Sequence, residues 1–238
     1  MFWRRAERLY RLLNMRSSTL NQVDDRTTKS RIRDAAIECF AAEGVSATSI
    51  RTIATTAGVS PGLVMHHFGS KDALRVACDE HVATLIREQK GGAMAQGASL
   101  DPLAALRSVV GGPPILRYLA RTLVDGSPHV ADLVDELVND AVAYTETAVE
   151  AGLLKPSERP RERATLLTLW SLGGVVLHEH MERLLGVDIT ADFSQDPKGA
   201  AAYIAPALDL FGGLITDTAK QMMTEAFVNA QEETKEPA

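Results

Sequence analysis

The stretch TSIRTIATTAGVSPGLVMHHFGSKDAL, residues 48–74, starts and stops helices more often than a plain connector needs. Thr48, Ser60 and Ser70 are residue types whose side-chain oxygen caps a helix N-terminus. Gly58 closes the first apolar stripe, made by Ile50, Ile53, Ala54 and Ala57, because glycine reaches the left-handed backbone without a Cβ clash. Pro61 follows Ser60 and suits the first helical position, where its missing N–H would have had no partner. The spacing predicts two short helices in tight succession, with a third element beginning at Ser70.

On either side the same helical period continues. Upstream, Ile32, Ala35, Ala36, Cys39 and Phe40 recur at helical spacing from Thr27 onward, and Gly44 is a stop. Downstream, Asp72 places a carboxylate at the positive end of a helix dipole, and Ala73, Leu74, Ala77, His81 and Leu85 extend a long fourth helix. Beyond GGAMAQGAS, helices are predicted over roughly 101–111, 114–125, 128–153, 159–185 and 198–232, with prolines near their starts and joints. No alternating strand pattern survives. The expectation is an all-α chain: an N-terminal three-helix helix-turn-helix unit over 26–72, and a C-terminal helical bundle over 73–238. Residues 1–25 form an Arg-rich amphipathic and then polar extension.

Composition bounds the class of function. With 238 residues and 45% hydrophobic content the chain can bury a sizeable core, but no run approaches the roughly 18 apolar residues of a membrane span, so no membrane partner is expected. Two cysteines, Cys39 and Cys78, are too few for a secreted disulfide scaffold, which points to the cytoplasm. The net charge of −6 is unevenly spread: residues 1–90 hold 14 Lys+Arg against 10 Asp+Glu, and residues 91–238 hold 11 against 21. Only the first part suits a polyanion. No nucleophile-base pairing signature or Gly-rich phosphate loop points to an enzyme or a cofactor. His178, His180 and Glu182 lack the second His of a metal-binding HExxH helix, so no metal site is assigned.

In a helix-turn-helix the second helix enters the major groove with its N-terminal residues toward the base edges. Ser60, Pro61, Gly62 and Leu63 would then face DNA. Lys71, at the first turn of the fourth helix, could hold a phosphate together with free backbone N–H groups, and Thr48, Arg51 and His66 are further candidates.

The order Thr, Arg, Ile-Ala, Ala-Gly-Val-Ser, His-His-Phe and Ser-Lys within residues 48–74, preceded by IRDAAIECFAAEGVSATS, resembles the TetR family of bacterial transcriptional repressors. The resemblance implies that the first three helices bind double-stranded operator DNA, the fourth links them to a variable ligand-binding domain, and the last two helices build a homodimer interface. Met65 stands near a position where the family often has a phosphate-binding Tyr, and Pro61 where many relatives carry a polar side chain. Operator sequence is therefore not legible.

The segment ATLLTLWSLGGVVLHEHMERLLG, residues 164–186, is apolar around most of its circumference and needs cover on several sides. Gly173 and Gly174, each costing about 1 kcal/mol relative to Ala inside a helix, suggest a close approach. The final helix offers a second apolar face through Tyr203, Ala207, Leu210, Phe211, Leu214 and Met222. For the effector cavity that the resemblance implies, Tyr118, Tyr144, Trp170, His178 and Met181 are the candidate wall residues, and they suit an apolar or amphipathic small molecule.

Overall fold

A computed structural model describes residues 27–99, 113–127, 129–190 and 197–233. The opening extension and the helix predicted at 101–111 lie outside the described residues. Helix α1 covers residues 27–43, followed by α2 (Ile50–Thr56), α3 (Pro61–Phe68) and α4 (Lys71–Ala95). Next come α5 (Pro113–Val124), α6 (His129–Glu150), α7 (Pro160–Val176), α8 (His178–Leu185), α9 (Pro197–Phe211) and α10 (Asp217–Glu233). Among the described residues there is no sheet, and no helix is long and apolar enough to cross a membrane.

The first four helices close around one apolar cluster. Phe40 and Ile32 of α1 meet Ile53 of α2, Val64 of α3, and Leu74, Cys78 and Val82 of α4, all of them buried. Each large side chain so removed from water stabilises the fold by roughly 1.5–3 kcal/mol. Ile115 and Tyr118 of α5 join the same cluster, so the N-terminal unit shares its core with the helices that follow. Helix α4 then runs on against α6, which packs on α7, and α7 also contacts α5. A second cluster around Leu119, Leu133, Leu137, Val175 and Val187 fills that layer.

Two long helices expected from the periodicity are each divided. The run predicted at 159–185 breaks at Leu177, which leaves helical geometry at φ −95°, ψ 20° just after the weak helix formers Gly173 and Gly174. Its N–H still bonds to the Gly173 carbonyl at 3.0 Å, so the interruption is one residue long. The run predicted at 198–232 breaks between Phe211 and Asp217. There Ile215 forms an antiparallel bridge with Leu154, supported by Lys155 N–H to Leu214 O at 2.9 Å and Thr216 N–H to Leu153 O at 3.1 Å. This long-range pairing displaces local helix formation at Gly212 and Gly213.

Candidate nucleic-acid interface and adjoining cleft

The turn between α2 and α3 follows from glycine chemistry. Gly58 sits at φ +64°, and the Val59 N–H reaches back to the Ala54 carbonyl at 2.9 Å, the bond that closes a Schellman-type helix end. Val59 is thereby turned inward against the first cluster. The chain leaves the turn at Ser60, whose hydroxyl accepts the Leu63 N–H at 3.2 Å, with Pro61 in the first turn. Ser60, Pro61 and Gly62 are exposed, as is His66 further along α3, while Leu63 is half-buried. The buried Val64 anchors the opposite side of the helix. A Cβ added at Gly62 would meet nothing closer than the Ser60 hydroxyl at 3.9 Å, so the start of α3 is open to a close approach.

Two residues separate the start of helix α4 from the end of α3. Ser70 caps it by accepting the Ala73 N–H at 3.0 Å, Gly69 supplies the φ of +75° that turns the chain, and Lys71 is half-buried at the first position. Arg51 is exposed in the first turn of α2. Met65 is exposed on α3 and offers a thioether where a hydroxyl donor would suit a phosphate.

Thr48 is placed differently from the expectation that it caps α2 and faces DNA. It is 1% exposed, and its hydroxyl donates inward to the carbonyls of Gly44, at 2.7 Å, and Cys39, at 3.3 Å. Ser49 is the cap, accepting the Thr52 N–H at 3.0 Å. Both residues have the chemistry of a cap; Thr48 is drawn inward because two carbonyls near the end of α1 face it.

The five predicted wall residues occupy different surroundings among the described residues. Tyr118 is fully buried in the first cluster, its ring 6.3 Å from that of Phe40 and its hydroxyl donating to Asp79 at 2.6 Å. It is a core residue because that hydroxyl has a buried carboxylate to satisfy it. Trp170 is 58% exposed on the outside of α7, its ring 5.9 Å from that of Phe211. Tyr144 is half-buried, with the Lys90 ammonium 5.5 Å from its ring. Met181 packs against the second cluster.

His178 borders a cleft with a volume of about 660 Å³. One wall is the end of α1, at Glu38, Ala41 and Ala42; the floor is α5; the other wall is the α7–α8 joint, at Val176 and Glu179. Arg117, on the floor, donates to Thr190 at 3.2 Å and to Asp188 at 3.5 Å. Burial works to raise the Asp188 pKa, but the Thr190 hydroxyl and N–H and the Arg117 charge outweigh it and hold the carboxyl below its usual value. None of these residues except His178 was singled out from sequence. The i,i+4 pair Arg117/Arg121 on α5 was the available signal, but it looks like any solvated helix face.

The far side of α5 carries a buried charge network to α4. Arg75, 5% exposed, pairs with Asp125 just past the end of α5 and lies 3.8 Å from Asp79. Burial pushes the Asp79 carboxyl above its usual pKa, against the lowering pull of the Tyr118 hydroxyl and of Arg75. Burial likewise raises the Cys78 thiol strongly, leaving it an unreactive core side chain. No group of three His, Cys, Asp or Glu side chains among the described residues is placed to hold a metal ion.

Residues 32–78 match the model for bacterial regulatory proteins of the tetR family, and residues 113–216 match that for the tetracyclin repressor-like C-terminal domain. The chain is 36% identical over 208 residues to the HTH-type transcriptional regulatory protein RaaS of Mycobacterium tuberculosis, covering 86% of this chain and 93% of that protein. Its fold is similar to a gamma-butyrolactone receptor (ArpA-like protein), with a TM-score of 0.56, 22% identity and coverage of 88% of this chain and 99% of the other. It is similar also to NalD of Pseudomonas aeruginosa, with a TM-score of 0.51, 23% identity, and 81% and 99% covered. Both halves of the chain thus match, and over nearly the full length of a curated regulator: the protein belongs to the tetR family of bacterial transcriptional regulators.

Proposed function

We propose that this regulator is a homodimeric repressor that binds a palindromic operator and leaves it when a small apolar or amphipathic effector binds its C-terminal helices. The observation that carries DNA contact is the exposed, capped start of α3 at Ser60, Pro61 and Gly62, with Lys71 at the start of α4 just past the other end of that helix. Small residues let the α3 backbone approach base edges, while the Lys71 ammonium and the free N–H groups of the first α4 turn grip a phosphate. Arg51 and His66 extend the same contact surface along the backbone. With Met65 in place of a hydroxyl donor, the phosphate grip rests on α4.

Dimerisation is supported by apolar surface that the single chain leaves uncovered. Leu166, Leu169, Trp170 and Leu177 are exposed at helical spacing along α7 and into the joint, continued by Leu184 and Leu185 on α8 and by Leu210, 74% exposed, on α9. Gly173 lies in the same stretch with nothing within 4 Å of an added Cβ, leaving room for a partner helix. A stripe of exposed apolar side chains along one helix, joined to α9 through the Trp170–Phe211 ring contact, is the kind of surface that marks an interface. A two-fold dimer then presents both α3 helices to half-sites about 34 Å apart or a multiple of that. Release requires an effector with different affinities for the DNA-competent and DNA-incompetent arrangements.

A gel shift at low ionic strength against the DNA upstream of the protein's own gene, run alongside sedimentation analysis, tests this. A dimer that retards the duplex supports the proposal. A dimer that ignores genomic duplexes, or a monomer that binds them fully, overturns it.

A further inference from the structure

We propose that the cleft between α1, α5 and the α7–α8 joint is a binding site for an organic cation with an apolar body. Its volume, about 660 Å³, lies within the few hundred to a thousand Å³ typical of small-molecule sites. The charge lining it is unbalanced. Glu38 stands on the α1 wall, Glu179 and Glu182 on the α8 wall, and no ion pair or hydrogen bond through the side chain of any of them occurs among the described residues. Asp188 contributes no free charge, because Arg117 and Thr190 already hold it. Among the described residues the cleft sets one unpaired cation, Arg121, against these three unpaired carboxylates, so it attracts positive charge.

The surface between these charges is apolar. Ala41 and Ala42 from α1, Ala120 and Val124 from α5 and Val176 from α7 line it; Ala42 and Val124 are exposed and Val176 is half-buried, so these three supply the accessible apolar area. A small inorganic cation would leave Ala42, Val124 and Val176 uncovered, and a neutral hydrocarbon would leave the carboxylates without a counter-charge. A hydrophobic ammonium or phosphonium satisfies both, and cationic charge over apolar contact area is the simplest complement to this lining. The location adds a consequence. One wall belongs to α1, whose buried side packs on α2 and α3, and the other to the C-terminal helices, so an occupant is sensitive to the spacing between the two. That coupling to operator release rests on the repressor function proposed above; the cation site itself does not.

The test uses tetraphenylphosphonium and tetraphenylborate, which share a shape and differ in the sign of their charge, with binding to the full chain measured by calorimetry. The phosphonium is expected to bind with one site per chain, and the borate at least about tenfold more weakly. Glu179→Gln combined with Glu182→Gln, both at exposed positions, should weaken phosphonium binding about tenfold. Ala42→Trp, which obstructs the mouth from the α1 wall, should weaken both ions alike. Equal binding of the two ions, indifference of phosphonium binding to these variants, or no binding at millimolar concentration overturns the site. Retardation of the operator by the ligand-free protein is scored separately. Failure there removes the repressor function and leaves the cation site standing, and the reverse result removes only the cation site.

Discussion

Helix α3 and the pair α7–α8 each expose a surface that a self-sufficient bundle would not leave bare, and the two surfaces differ in kind. Along α3 the bare positions are mostly small or polar, Ser60, Pro61, Gly62 and His66, with Met65 the one large apolar side chain among them. Along α7 and α8 they are large and apolar, with Leu166, Leu169, Trp170 and Leu184 turned outward. A surface that meets a hydrated polyanion needs backbone access, polar groups and cations, whereas one that meets another copy of itself needs apolar area to remove from water. The contrast teaches that exposure alone names no partner. The chemistry of what is exposed does.

The comparison can be broken from its apolar side first. Changing both Leu169 and Trp170 to Glu should halve the sedimenting mass and cut affinity for a palindromic duplex about a hundredfold or more, since two linked half-sites become one. A variant that remains dimeric would move the interface off α7. The shared core beneath the two surfaces comes next. Asp125→Asn takes from Arg75 its closest charged partner; Asp79 remains 3.8 Å away, so a loss of about 2 kcal/mol is expected, below the full cost of an unpaired buried charge. Chemical denaturation measures it directly.

Two neighbours then separate scaffold from surface. Thr48→Val leaves the Gly44 and Cys39 carbonyls without the buried hydroxyl and should cost about 1–2 kcal/mol, while Ser49→Ala removes an exposed cap worth about 1 kcal/mol. The denaturation midpoint should shift for both, and operator affinity well below the melting temperature should hold for Thr48→Val. The finest test is on the polar side. Lys71→Ala should lower the slope of log affinity against log salt by about 0.9 per half-site without changing sequence preference. An unchanged slope would remove Lys71 from the phosphate contacts.

What could be read ahead of the structure depended on how far away the deciding atoms lie. Ser60 and Ser70 were legible as caps because each hydroxyl accepts an N–H three residues on. Thr48 and Ser49 could not be told apart, because the choice is made by carbonyls that belong to the end of α1. Tyr118 looked like a cavity wall until its hydroxyl partner was seen to be Asp79, 39 residues earlier. Trp170 looked buried because its segment is apolar around most of its circumference, but the described residues leave that side exposed.

The amino-acid order by itself determined the all-helical architecture, the two short helices with their glycine turn, and the family to which the chain belongs. Those features are written in contacts within a turn or two of one another, where spacing, capping oxygens and left-handed glycines act without help from distant residues. Tertiary structure alone decided which polar groups turn inward, where the long helices break, and that α1, α5 and α8 enclose a cleft with unbalanced charge. Each of these depends on side chains or carbonyls brought together from far along the chain, and a linear pattern carries no record of which distant groups will meet.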